Sequence, residues 1–135
     1  MTRLYRTRLI RQPELGSAQS VEDILALDRE NMAEILALSG QPFPEEKVRA
    51  AITDPSAFAV MLYRADTFAG YAHFLRSWSD PNDLYVASLQ IRSACRSSGA
   101  LGVLLNGCLQ VLRREHFQGI VSAVQTHNKH AIELY

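Results

Sequence analysis

The chain has 135 residues, which suits a single domain over 1–135, and its 47% hydrophobic and 21% charged residues exclude a disordered or collagen-like chain. The 14 basic and 14 acidic residues balance, so electrostatic binding to nucleic acid or to an anionic membrane through the net charge of the protein is not expected. No apolar run approaches the roughly 20 residues of a membrane helix, and the two cysteines, Cys95 and Cys108, have neither disulfide-framework nor zinc-site spacing. We therefore expect a cytoplasmic protein with no metal, no nucleic-acid partner and no membrane partner.

The first third of the sequence predicts a strand and a long helix. Alternating apolar and basic residues from Leu4 to Gln12 favour an edge strand. Apolar residues then recur at helical spacing from Val21 to Leu36. Ser20 suits the cap of this helix, and Gly40 suits its end.

A second helix and a hairpin follow. Proline at position 44 with two glutamates after it suits the first turn of a helix that runs to about Ile52. Two runs rich in aromatic and β-branched residues, Phe58 to Arg64 and Phe68 to Leu75, flank the short polar segment 65–67. This arrangement predicts two strands joined by a tight turn.

The second half alternates strands and helices. Leu84 to Ile91 and Phe117 to Val124 are typical of strands, Gly99 to Arg114 carries a leucine stripe at helical spacing, and a last helix begins at Asn128. The predicted order is β-α-α-β-β-β-α-β-α. The fold class is therefore α/β, with a mixed, mostly antiparallel central sheet flanked by helices.

The strand from Leu84 to Ile91 carries polar residues where a central strand needs partners for them. Strict alternation places Ser88 and Gln90 on one face and Tyr85 with Leu89 on the other. The polar face is expected to meet a ligand or ordered water, or to hydrogen-bond a neighbouring side chain.

A candidate anion site follows this strand. The segment from Arg96 to Gly102 combines an arginine, two serines and two glycines at the start of a helix. Free backbone N–H groups, the helix dipole and a guanidinium together favour a phosphate. The alternative is a strand-to-helix turn whose glycine allows tight packing. The segment fits neither a Walker loop nor a dinucleotide fingerprint.

A second candidate lies at residue 128. Asn128 follows a strand and begins a helix. It either only caps that helix or also binds a ligand through its amide.

Together these stretches resemble the GNAT superfamily of acyl-CoA-dependent N-acetyltransferases. The family's loop motif, Gln/Arg-x-x-Gly-x-Gly/Ala, aligns with Arg96 and Gly99 after the strand that ends in Leu89-Gln90-Ile91. The family's later motif, Asn-x-x-Ala, an apolar residue and then Leu-Tyr, aligns with the segment from Asn128 to Tyr135. The resemblance covers about Leu84 to Tyr135.

The resemblance implies that acetyl-CoA is the co-substrate and that an amine of an unidentified acceptor attacks the thioester directly. Tyr135 would be the catalytic acid that protonates the leaving thiolate, and Asn128 would hydrogen-bond the pantetheine. Two further sets of residues would contact CoA. The backbone that would pair with the pantetheine arm is that of Leu89, Gln90 and Ile91. The cradle for the pyrophosphate would be formed by Arg96, Ser97, Ser98, Gly99, Ala100 and Gly102. The alternative is a catalytically degraded relative that acts as a CoA-binding or protein-interaction module.

The sequence departs from the family pattern at three places. Leu101 replaces a small residue of the loop motif, and Tyr85 stands where several relatives carry a catalytic glutamate. Asp83, Glu30 and Glu34 are substitute bases, as is a chain of water molecules. The chain stops at Tyr135, where relatives continue with further strands. Either a tail is missing from the sequence or the domain is truncated, and in a truncated domain we expect a homodimer or another chain to cover the last strand.

The N-terminal strand carries a basic stripe, Arg3, Arg6, Arg8 and Arg11. A solvated edge strand explains the stripe better than a nucleic-acid arm, because the net charge is zero.

Overall fold

The computed structural model describes residues 4–76, 83–96, 99–115 and 119–122. The strands are β1 (Tyr5–Arg11), β2 (Phe58–Arg64), β3 (Thr67–Arg76), β4 (Asp83–Ile91) and β5 (Gly119–Ser122). The α-helices are α1 (Ala18–Ser39), α2 (Glu45–Thr53) and α3 (Ala100–Arg114), and a 3-10 turn spans Ser93–Cys95. The predicted element order is confirmed as far as β5, and the last predicted helix lies outside the described residues.

The five strands form one sheet in the order β1-β2-β3-β4-β5. Neighbouring strands are antiparallel except β4 and β5, which are parallel. The parallel pair follows from the intervening α3, since a crossover connection returns the chain in the same direction. The predicted α/β class with a mixed, mostly antiparallel sheet is confirmed.

Each face of the sheet buries its own apolar cluster. On one face Phe58, Val60 and Phe74 pack against Leu104 and Val111 of α3. The opposite face packs against α1 and α2, through residues that include Ile24, Leu25, Ile52, Met61 and Tyr71. These faces are called the α3 face and the α1 face below. Alternation of side chains along each strand produces the two clusters.

The N-terminus of α1 differs from the prediction by three residues. Ser17, rather than Ser20, is the cap, because the Ser17 hydroxyl accepts the Ser20 backbone N–H at 3.3 Å. The prediction that Ser20 caps the helix is therefore wrong. Gly40 ends α1 as predicted, with a φ of 70° that glycine adopts without strain.

A β-bulge at Ala87 changes which side chains of β4 share a face. His73 pairs with Ser88, but Phe74 pairs with Val86, so Ala87 is an extra residue in β4. Tyr85 pairs with Leu75, which packs into the cluster of the α1 face. Tyr85 therefore lies on the same face as Ser88, and the prediction of opposite faces is wrong because the bulge breaks the strict alternation.

In the described parts of the chain, no helix has the length and apolar character needed to cross a membrane. The same residues contain no group of three or more His, Cys, Asp or Glu side chains arranged to hold a metal ion.

Candidate functional site

The C-terminal half of β4 has an open edge. Within the described residues β5 pairs only with Asp83–Val86, so the strand from Ala87 to Ile91 has β3 on one side alone. The Ile91 carbonyl accepts side-chain hydrogen bonds and so faces away from β3. By alternation, the N–H and C=O of Leu89 face the same open side. An extended ligand can therefore pair with β4 as an added strand.

The backbone groups of the three predicted pantetheine residues point in different directions. Those of Leu89 and Ile91 face the open edge, whereas the Gln90 carbonyl faces β3 and lies 2.5 Å from the position of a Cβ built on Gly70. The Gln90 side chain contacts α1 instead, because its Oε1 accepts a hydrogen bond from Asn31 Nδ2 at 2.9 Å. Asn31 Nδ2 also donates to the Ile91 carbonyl at 3.1 Å. Asn31 thus fixes the middle of α1 against the end of β4.

The start of α3 forms a cradle of free donors. Gly99 precedes the helix with a φ of 85°, and no side chain caps it among the described residues. The first hydrogen bond of the helix runs from Val103 N–H to the Gly99 carbonyl at 3.2 Å. The N–H groups of Ala100, Leu101 and Gly102 therefore have no acceptor within the helix. No described atom lies within 4 Å of a Cβ built on Gly99 or Gly102, so a ligand can approach both closely.

Arg96 ties the cradle to the open edge of β4. Its Nε donates to the Ile91 carbonyl at 3.2 Å, and the residue is otherwise exposed. The Leu101 side chain, which departs from the family pattern, packs against the cluster of the α3 face. The remaining predicted site residues, Ser97, Ser98, Asn128 and Tyr135, lie outside the described residues.

A buried chain of hydrogen bonds crosses from α1 to β4 beside the bulge. Tyr71 Oη donates to Asp28 Oδ1 at 2.5 Å and lies 3.1 Å from Ser88 Oγ. Burial raises the pKa of Asp28 to about 6, against the lowering effect of the Tyr71 hydrogen bond. Burial and the neighbouring Asp28 carboxylate raise the pKa of Tyr71 well above its ordinary value.

Asp28 is not among the bases predicted from the sequence, which are Asp83, Glu30 and Glu34. The signal was present, because Asp28 lies four residues after Ile24 and seven after Val21, in the apolar stripe of α1. A carboxylate at such a position is buried and needs a partner. Glu30 and Glu34 are exposed on α1.

His73 is a further buried titratable group on the α1 face, opposite Ser88 in the strand register. Burial lowers its pKa to about 4, so the ring is neutral at neutral pH. It hydrogen-bonds the backbone of Ala51, while its Nε2 has no partner among the described residues. The ring therefore has Nδ1 as the donor to the Ala51 carbonyl.

The described part of the basic stripe is engaged in local ion pairs. Arg6 pairs with Asp66 at 3.7 Å, Arg8 pairs with Glu14 at 2.6 Å, and Arg11 pairs with Glu115. These pairs match the interpretation of a solvated edge strand.

Comparison with known proteins agrees with the geometry. The sequence profile of the acetyltransferase (GNAT) family matches residues 21–135. No curated protein matches the sequence significantly.

Solved structures of low sequence identity share the fold. A possible acetyltransferase from Clostridium difficile 630 has a TM-score of 0.72 at 17% identity, covering 98% of this chain and 88% of its own. The aminoglycoside acetyltransferase HMB0005, from an uncultured soil metagenomic sample, has a TM-score of 0.70 at 15% identity, with coverages of 97% and 88%. AAC(6')-Iy in complex with the bisubstrate analog CoA-S-monomethyl-acetylneamine has a TM-score of 0.65 at 10% identity, with coverages of 96% and 86%.

Proposed function

This chain belongs to the acetyltransferase (GNAT) family, and we propose that it transfers an acetyl group from acetyl-CoA to a primary amine of its acceptor. One observation carries the proposal. The open edge of β4 ends at Ile91, whose carbonyl accepts a hydrogen bond from Arg96, and α3 with its free N–H groups begins four residues after Arg96. The edge suits an extended amide-bearing arm, and the cradle suits a diphosphate.

The described residues present groups that suit CoA. Leu89 offers its N–H and C=O to the pantetheine and Ile91 offers its N–H, since the Ile91 carbonyl already accepts from Asn31 and Arg96. The start of α3 offers the free N–H groups of Ala100 and Gly102, and the space beside Gly99 and Gly102 is open to the phosphates. Arg96 adds a charge-assisted donor at their boundary. The resemblance adds Ser97 and Ser98 to the cradle, Asn128 to the pantetheine contacts and Tyr135 as the acid for the leaving thiolate.

The chemistry needs few protein groups. Acetyl-CoA supplies an acyl group already activated as a thioester. The protein must orient it, place the acceptor nitrogen against the carbonyl, remove a proton from the acceptor ammonium and stabilise the developing oxyanion. The outward N–H of Leu89, one strand position beyond Ser88, is suited to the oxyanion.

Calorimetric titration tests the cofactor site. The intact chain should bind acetyl-CoA, and Arg96→Ala should weaken that binding about 10- to 100-fold, as expected for a lost hydrogen bond between charged groups. Binding of S-acetylpantetheine, which lacks the pyrophosphate, should change little. Arg113→Ala, an exposed arginine at the opposite end of α3, is the matched control and should behave as the wild type. Equal losses for both ligands would remove Arg96 from the phosphate role.

Turnover separates the enzyme from the CoA-binding alternative. Thiol release from acetyl-CoA should be stimulated by at least one amine in a panel of kanamycin, spermidine and a peptide with a free N-terminal alanine. Mass spectrometry should show an added acetyl group on that amine. Tight binding of acetyl-CoA without acetylation of any amine would favour the module.

A further inference from the structure

We propose that Ser88 accepts the proton of the acceptor ammonium and that Tyr71 and Asp28, acting through it as positioning residues, take the proton into the protein. The proposal rests on the proposed function. It names the group that removes the ammonium proton in a chain whose Tyr85 stands where several relatives carry a glutamate.

The donor and acceptor count fixes the direction of the chain. An ionised Asp28 only accepts hydrogen bonds, so the single proton of Tyr71 Oη lies on the 2.5 Å contact with Asp28. Tyr71 Oη must then accept in its 3.1 Å contact with Ser88 Oγ. The Ser88 proton points inward as a result. Ser88 therefore presents only lone pairs outward, which suits a donor such as an ammonium.

The two inner groups of the chain are buried and the outer group is partly accessible. Asp28 is 4% exposed and Tyr71 is 1% exposed, whereas Ser88 is half-buried. Ser88 follows the bulge residue Ala87 directly and precedes Leu89, whose N–H faces the open edge of β4. The outer end of the chain thus lies next to the expected position of the thioester carbonyl.

Given the charged and titratable groups around it, Asp28 is the group of this chain that changes its protonation state in the pH range of the reaction. On β3 the neighbouring titratable groups of the α1 face are Tyr71 and His73, and both are neutral near pH 7. Among the described side chains of β4, Tyr85 is the titratable group of this face. The other charges on α1 and α2 are exposed or half-buried, and ion pairs join Arg29 with Glu45 and Arg49 with Glu22 and Glu45. The raised pKa of Asp28, about 6, suits a base that must release its proton again near neutrality.

The protons balance as follows. The ammonium gives one proton to Ser88 Oγ, the Ser88 proton moves to Tyr71 Oη, and the Tyr71 proton moves to the Asp28 carboxylate. The freed nitrogen lone pair forms the C–N bond as the C–S bond breaks, and the second amine proton balances the one that the leaving thiolate takes up. Asp28 returns its proton to solvent through the same hydroxyls, so each turnover releases one proton.

Three variants that preserve shape test the path. Asp28→Asn, Tyr71→Phe and Ser88→Ala should each lower kcat about 100-fold or more at pH 7.5, with the KM for acetyl-CoA within about twofold of the wild type. Ser88→Thr keeps the hydroxyl and should restore most of the rate. Asp23→Asn, which changes a half-exposed carboxylate five residues earlier on α1, is the matched control and should leave the rate unchanged.

The pH profile and a direct titration exclude a merely structural role. The wild-type rate should fall as pH drops below about 6, where Asp28 is protonated, and Asp28→Asn should lack this limb. An infrared difference titration of the resting protein against Asp28→Asn should show a carboxyl that ionises near pH 6, with no substrate present. An unshifted pH profile in Asp28→Asn, or a carboxyl that ionises near 4, would overturn the proposal. A wild type that acetylates no amine overturns the proposed function and this path with it, whereas an active wild type with unaffected variants overturns the path alone.

Discussion

Asp28 and His73, two buried titratable side chains of the α1 face, should give opposite pH dependences to the free energy of unfolding. Asp28 is 4% exposed and has a pKa raised from 3.8 to about 6. His73 is 3% exposed and has a pKa lowered from 6.5 to about 4. Burial disfavours the charged form in both cases, but the charged form exists at high pH for the acid and at low pH for the base.

For Asp28 the folded state holds its proton more tightly than the unfolded chain does. Its contribution to stability is therefore fully present below pH 3.8 and is lost as the pH rises through about 6. Because one pKa unit corresponds to about 1.4 kcal/mol, this loss is about 3 kcal/mol. At neutral pH the protein thus carries an ionised carboxylate that is costly to bury.

For His73 the folded state holds its proton less tightly. Its contribution is fully present above pH 6.5 and is lost as the pH falls through about 4, again by about 3 kcal/mol. The two contributions nearly cancel in the wild type across this window. A variant that lacks one of these two side chains should therefore show the pH dependence of stability that the other side chain produces.

Urea unfolding followed by circular dichroism between pH 4 and pH 8 measures this directly. The stability of Asp28→Asn relative to the wild type should rise by about 3 kcal/mol from pH 4 to pH 7, and that of His73→Phe should rise by a similar amount from pH 7 to pH 4. Any constant cost of the new amide or ring shifts each curve without changing its slope. Parallel curves for Asp28→Asn and the wild type would refute the reasoning.

Two further predictions concern packing. Gly70→Ala should lower the free energy of unfolding by about 1–3 kcal/mol, because its Cβ would lie 2.5 Å from the Gln90 carbonyl oxygen and 3.1 Å from Ile91 Cα. Gly102→Ala, whose Cβ meets no described atom of a neighbouring segment within 4 Å, is the control in thermal denaturation. Equal melting temperatures for the two variants would contradict this prediction. Cys108 is buried and its pKa is raised to about 12. Cys108 in the native protein should therefore react with a disulfide reagent at pH 8 far more slowly than in the urea-unfolded protein. Rapid labelling of native Cys108 would contradict this and show that the surroundings of Cys108 open to solvent.

The sequence predicted the elements well because each carries a local signal. The proline and glutamates at the start of α2, Gly40 after α1, and the short polar turn between β2 and β3 act within a few residues. The cap of α1 was misplaced because Ser17 and Ser20 are chemically equivalent candidates. Only the structure shows which hydroxyl receives an N–H group.

The site was predictable in part. The free N–H groups at the start of α3 and the open space beside Gly99 and Gly102 follow from residue types that act through the backbone, which a sequence displays directly. The faces of β4 did not follow, because the bulge at Ala87 depends on the register between β3 and β4. The partnership of Asp28 with Tyr71 spans 43 residues of sequence and joins a helix to a strand. No local pattern encodes such a contact.

The position of Asp28 argues that its carboxylate serves chemistry rather than folding. The stripe of α1 that contains Val21, Ile24 and Leu25 is apolar and fully buried, and an apolar or neutral residue at position 28 would continue it without a charge to desolvate. If the carboxylate is structural, Asp28→Asn should have a lower free energy of unfolding than the wild type at neutral pH. If the carboxylate serves the reaction, Asp28→Asn should lower the rate while its free energy of unfolding at pH 7 equals or exceeds that of the wild type. The stability and kinetic measurements on Asp28→Asn therefore decide the question together.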